Sequence, residues 1–409
     1  MRRSTETLVC VLFMHTRVPD KVRSLLFTSI GHFANDGVFL LFALLIVYYH
    51  ESGVSVALLG ALGIVYNVID GIASPRIGAF VGRSDRAAYM ALGIALEGAS
   101  LVLFAASFVF SAYIYPLLVS GLVALGIGQT FYHPIGSSVL RHVYGKTAPT
   151  AMGINGSMGS VGRAAFPLLI TFAIVALGIP LGLGLMAVLV MALAIVIYAG
   201  LRVFEHESYS RDHSEPTDDI DYGTARRTHS RFISALTWIT LLRSMFVVGT
   251  TTFIGEYING IFHSNVIVGL FLTVSFLPAI FGQIIFGRIT ERRGGLYAFS
   301  ITTAALVPIF VLFMLTQDLA SLMLAYAAFT FFAYTGFPVI LGFIGQVVPQ
   351  RHMTAISAHV WGIGTTMGAA AGLAVATALL DLGFGIGQTF WVLLAFGAAA
   401  IALLPTLRK

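Results

Sequence analysis

Charge is scarce in this chain. Asp, Glu, Lys and Arg together make up 10% of its 409 residues, against about 25% in ordinary soluble domains, whereas apolar residues make up 57%. A soluble fold cannot cover that much apolar surface, so the composition points to lipid. Cysteine is nearly absent, and the single Cys10 excludes an internal disulfide and a cysteine-rich metal site. Neither a zinc-protease H-E-x-x-H nor a phosphate-binding loop occurs, and there is no sizeable polar domain to house one, which argues against an enzyme. No cofactor and no metal site are expected, the histidines His206, His213 and His229 being scattered along a polar stretch. The net charge of +5 is what the cytoplasmic loops of a membrane protein carry, so no nucleic-acid partner is inferred.

What is present is a succession of long apolar runs, punctuated by short basic turns. The clearest turn is Gly287 to Gly295, G-R-I-T-E-R-R-G-G, which is matched about 205 positions earlier by the shorter Gly82-Arg83-Ser84-Asp85-Arg86. Apolar runs lie at about 24–49, 54–80, 88–108, 113–140, 148–176 and 180–201, and again at about 232–262, 266–289, 296–315, 320–347, 353–380 and 387–406. Each approaches or exceeds the roughly 20 residues a spanning helix needs. The expected domains are a cytoplasmic N-terminal segment (1–23), a six-helix bundle (24–201), a polar cytoplasmic linker (202–231) and a second six-helix bundle (232–409). Apart from Arg163 and Arg243, every Lys and Arg falls on the side this count makes cytoplasmic, as the positive-inside rule requires. Both termini are therefore expected inside the cell, in a multi-pass protein of the plasma membrane.

The halves superimpose. Arg23 and Arg231 open equivalent helices, twelve positions further on stand Asn35 and Arg243, and Pro134 matches Pro338. Parallel repeats of this kind place a site near the midplane between two bundles. The fold class expected is an all-α membrane protein with twelve transmembrane helices in two pseudo-symmetric bundles.

Twelve spans, a long central loop and Gly287-x-x-x-Glu291-Arg292-x-Gly294 after helix 8 resemble the major facilitator superfamily over essentially the whole chain. That resemblance implies that the loop latches the halves in one state; here Glu291 stands where Asp is usual, and the first copy, with Arg83, Asp85 and Arg86, lacks its closing glycine. In helix 5, Gly153, Gly162 and Pro167 are similar to the signature of proton-coupled exporters, with Phe166 in place of a glycine. His32-x-x-x-Asp36 and Phe131-Tyr132-His133-Pro134 resemble the fosmidomycin-resistance branch, whose members are implied to extrude an anionic phosphonate.

A charged side chain at the bilayer centre costs at least ~2.5 kcal/mol on insertion scales, so each one found there is a functional candidate. Here these are Asp36, Asp70, Glu97, Arg163, Arg243 and Glu256. Asp36 is expected to be the proton site, tuned by His32 one turn away, or else to be locked to an arginine. His133 either shuttles protons or caps the proline kink. Arg243 is the foremost substrate residue, offering forked donors to a carboxylate or phosphonate, with Asn35, Tyr132 and Arg163 as further candidates. Arg163 is alternatively a structural partner of Asp70 or Glu97. Asp70 is assigned to gating or to proton handling.

The function expected is secondary transport by alternating access: proton-coupled export of a small anionic or zwitterionic compound, the alternative being a proton-coupled importer of an organic anion. The expected partners are that small molecule, protons and the bilayer, and the chain is expected to be a monomer.

Overall fold

The computed structural model describes residues 19–81, 85–208 and 229–408. Twelve helices long and apolar enough to span a bilayer occur among them: α1 (Asp20–Glu51), α2 (Val56–Ser74), α3 (Arg86–Val109), α4 (Ser111–Tyr144), α5 (Thr150–Leu177), α6 (Ile179–Arg202), α7 (Ser230–Phe262), α8 (Asn265–Arg293), α9 (Gly295–Leu315), α10 (Leu319–Val347), α11 (Ile356–Asp381) and α12 (Ile386–Arg408). No strand occurs in the described residues. The expected spans agree closely with these, except that helix α6 runs on to Ser208, into the segment expected to be linker. Side chains such as Val188, Ile195, Leu315 and Leu324 point outward and exposed, a surface suited to hydrocarbon.

An even number of spans returns the chain to one face, called here the terminal face. Turns at the opposite face repeat between the halves: Gly178, between α5 and α6, and Gly383, between α11 and α12, lie 205 positions apart and both take positive φ, 81° and 87°. Residues with a Cβ rarely adopt that conformation.

Helix prolines repeat as well. Pro134 in α4 and Pro338 in α10 each free the carbonyl four residues earlier, and each freed oxygen is used. The Thr130 carbonyl accepts from Ser74 of α2 at 3.5 Å, and the Tyr334 carbonyl accepts from Gln283 of α8, the repeat of α2, at 2.5 Å. α10 opens fully at Tyr334–Thr335, and α11 carries a π-helical segment, Val360–Met367.

Inside each half, glycine sets how closely the first and fifth helices cross. A Cβ on Gly162 would meet the backbone carbonyl of Phe33, and one on Gly368 would lie 2.6 Å from the carbonyl of Leu241, which is the repeat of Phe33. Phe166 packs its ring against Gly37, so the glycine missing from α5 is answered by one in α1. The halves meet along α1 with α7, α5 with α8, and α2 with α11, and Leu40 to Tyr49 of α1 are buried without exception. Polar contacts between halves stand at both faces: His50 to Glu256 at 2.6 Å and Asn265 to Glu51 at 2.9 Å on the opposite face, and Thr150 to Glu291 at 2.9 Å on the terminal face.

The two glycines of the α5 signature differ in surroundings, since among the described residues of other helices a Cβ on Gly153 would meet just the Gln283 carbonyl, at 3.8 Å. Gly162→Ala is expected to destabilise the protein by about 1–3 kcal/mol through overpacking. Gly153→Ala is expected to stay within about 0.5 kcal/mol of the parent. Thermal unfolding in detergent checks the contrast, and equal effects would contradict the packing described.

Candidate functional site

A cavity of about 150 Å³ lies between the halves, lined from the first by His32, Asp36, Asp70, Gln129, His133 and Arg163, and from the second by Arg243, Gln283, Tyr334, Phe337, Trp361 and Thr366, among others. Its volume is below the roughly 300 Å³ at which pockets for drug-sized ligands begin, which suits a small molecule in this conformation.

Asp36 is the centre of the first wall. Gly159 leaves no room for a side chain against Asp36 and His32, and this close passage of α5 lets Arg163, one turn on, form an ion pair through its Nη1 with Asp36 Oδ2. Arg163 Nη2 donates to Ser160 Oγ at 3.0 Å, its Nε has no partner among the described residues, and the guanidinium lies 4.8 Å from the ring centre of Tyr334 in the other half. Of the two pairings expected of arginine and acid, Asp36 with an arginine is the one formed. Arg163 meets neither Asp70 nor Glu97 in an ion pair, because the glycines of α5 bring it to α1 first.

His32 completes the group, its Nε2 3.1 Å from Asp36 Oδ2 and its Nδ1 2.8 Å from Asn155 Oδ1. The Asn155 amide is oriented by its Nδ2, which donates to Thr28 Oγ1 at 3.2 Å, while Thr28 gives its own hydrogen to the Ser24 carbonyl at 2.7 Å. Nδ1 of His32 therefore carries a hydrogen. His133 Nε2 stands 3.9 Å from the other Asp36 oxygen, and the His133 ring packs against Phe337 and Trp361. The donor atoms of His32, Asp36 and His133 lie within 4.8 Å of one another, as metal ligands would. The guanidinium already on Asp36 opposes a dication there.

Arg243 owes its position to the break in α10. Its Nη2 donates to the carbonyls of Phe332 and Ala333, at 3.2 and 2.6 Å, oxygens at the C-terminal end of a half-helix, where a cation is favoured. Nε has no partner. Arg163 and Arg243 thus face one cavity from opposite halves, with Tyr334 beside both.

The remaining expected residues distribute as follows. Asn35 is buried outside the lining and donates from Nδ2 to Asp36 Oδ1 at 3.0 Å. Tyr132 sits behind His32, its hydroxyl 2.9 Å from both Asn155 Oδ1 and the Thr28 carbonyl. Neither touches the cavity, so both act on the residues that do. Asp70 lines it, accepting from Ser74 at 2.6 Å and facing Thr366 of the other half at 3.5 Å; no described basic side chain forms an ion pair with it. Asp85 caps α3 through the Ala88 amide at 2.9 Å, and Arg86 is buried in its first turn. Arg83 lies outside the described residues. Glu291 receives Thr150, Gly287 lies against Pro338, and Arg292 is exposed in the last turn of α8. Pro167 lies inside the unbroken helix α5, one turn after Arg163. Asn155, Gln129 and Gln283 were missed in the sequence; the signal was an uncharged amide within an apolar run, a group that needs a partner in lipid.

A family model described as Major Facilitator Superfamily matches residues 25–358. No curated protein sequence matches the chain. Among solved structures, the human organic anion transporter MFSD10 (TETRAN) is similar at 16% identity with a TM-score of 0.67, over 95% of this chain and 100% of that one; at that identity the likeness is one of fold. With twelve spans in two repeats around a central cavity, and a family model matching most of its length, the chain belongs to the major facilitator superfamily.

Proposed function

We propose that the protein is a proton-coupled secondary transporter of a small organic anion, alternating access to the cavity by rocking one six-helix half against the other. The observation that carries this reading is the double use available to Arg163: it neutralises Asp36, and it faces the same cavity as Arg243. An anion held between the two guanidinium groups draws Arg163 away from Asp36. The carboxylate is then left buried beside a second negative charge, a situation that a proton relieves. Anion and proton therefore favour each other's binding, and by linkage the effect is reciprocal. His32 and His133, both next to Asp36, are the groups through which that proton arrives and leaves.

Joint loading of anion and proton is the thermodynamics of symport, and with an inward proton gradient it produces uptake. The human structural neighbour is described as an organic anion transporter, in keeping with an anionic cargo. The second reading, proton-driven export, is favoured by the glycine and proline pattern of α5 and by the motifs that resemble the fosmidomycin-resistance branch. It requires a cargo that competes with protons, and a zwitterion meets that need, its acid on Arg243 and its cationic group on Asp36 or Asp70. Under either reading Asp85, Arg86, Gly287, Glu291 and Arg292 belong to the gates, joined by Asp70 under the first, and the protein is a plasma-membrane monomer with both termini inside the cell.

In proteoliposomes, adding carboxylates or phosphonates outside is expected to acidify the lumen. Luminal alkalinisation on adding a zwitterionic aminophosphonate would favour export instead, and proton movement with cationic drugs alone would overturn the anion assignment. Arg243→Lys is expected to weaken binding of the transported anion about tenfold, or ~1.4 kcal/mol, because a point charge replaces the fork. Calorimetry on the purified variant measures this, and an unchanged affinity would remove Arg243 from the substrate site.

A further inference from the structure

Three carboxylates stand in the membrane interior of the first half, Asp36, Asp70 and Glu97, and only Asp36 has an arginine partner among the described residues. Glu97 is the one that the mechanism above leaves unused. It lies near the middle of α3, wholly buried, eleven residues or about 17 Å along the helix from Arg86 at the usual rise. Gly93 and Gly128 bring α3 and α4 together around it, a Cβ on Gly128 falling 2.9 Å from Glu97 Cγ.

Its two oxygens differ. Oε1 accepts from Gln129 Nε2 at 3.2 Å, and Oε2 is buried with no partner among the described residues. Gln129 also donates to the Asn35 carbonyl at 3.0 Å and lines the cavity, while Asn35 Nδ2 donates to Asp36. A single amide thus stands between the buried acid and the transport cavity, next to the residue that holds Asp36. The charged groups within electrostatic range of Glu97 are themselves carboxylates, Asp36 on α1 and Asp70 on α2, and α4 adds His133 one turn beyond Gln129. No described cation offsets Glu97. An ionised, unpartnered carboxylate is the least favourable occupant of such a place, and a proton on Oε2 removes the unpaired charge.

We propose that Glu97 is a second proton-exchanging carboxylate, which communicates with the cavity through Gln129 and holds a proton while Asp36 is paired with Arg163. Resting on the proton-coupled reading, the step is a transfer: the O–H bond at Glu97 Oε2 breaks as one forms at Asp36 when Arg163 turns to the anion, and a proton arriving through the cavity then re-forms the Oε2–H bond, so that one proton enters with each anion. Glutamate in a purely structural role would hold Gln129 in place and exchange nothing.

Infrared spectroscopy of the purified full chain in lipid, with no substrate added, tests this independently of whether the anion reading holds. The protonated-carboxyl band removed by Glu97→Gln is expected in the parent protein, and is expected to shift promptly in heavy water and to exchange at least tenfold more slowly in Gln129→Leu. If Glu97→Gln does not fold, Glu97→Asp marks the same band by moving it. Absence of such a band, a band that resists heavy water in the native protein, or unchanged exchange in Gln129→Leu would each overturn the proposal.

Discussion

A buried ion pair between Asp36 and Arg163 is the interaction on which the rest of the site depends. In a membrane interior neither charge is tolerable alone, and removing one partner of a buried pair typically costs about 3–5 kcal/mol because the other is left uncompensated. The surroundings follow from that constraint. Gly159 and Gly162 bring α5 close enough for the guanidinium to reach, Asn35 and His32 take up the carboxylate's remaining capacity, and Asn155 orients His32. In the mechanism proposed above, the pair is the coupling element, opened at modest cost only by a ligand that replaces both charges, anion on the arginine and proton on the aspartate.

The second half answers the first by symmetry of backbone, not of chemistry. Leu241 and Gly368 repeat the close crossing of Phe33 and Gly162, and Pro338 repeats Pro134. Where the first half spends these features on an acid, the second spends them on Arg243, held by the carbonyls that end the first part of α10. The two halves together give a cavity lined by two guanidinium groups, Arg163 and Arg243, and two carboxylates, Asp36 and Asp70.

Much of this was legible in the sequence. Spans are dictated by bilayer thickness, and Asp36, Arg163 and Arg243 stood out because charge within an apolar run is rare. Their partners were not legible, for a physical reason: Arg163 could reach several acids by span and depth, and its choice of Asp36 follows from the absence of side chains at Gly159 and Gly162, a matter of helix separation. Asn35 and Tyr132 share the depth of the cavity but point away from it, since helical phase relative to a neighbour is set by packing. Gln129 and Asn155 were overlooked because an uncharged amide costs less in lipid than a charge and draws less notice, although here each of them ties a titratable group into place.

The competition for Arg163 is tested most directly by the affinity of a transported anion as a function of pH, measured by calorimetry on the purified protein and on Asp36→Asn. If the anion and Asp36 compete for one guanidinium, the parent binds more tightly as pH falls, by up to tenfold per unit for one linked proton, and Asp36→Asn binds tightly at every pH with that dependence removed. A parent affinity that weakens on acidification, or an Asp36→Asn variant that keeps the parental pH dependence, would contradict the account.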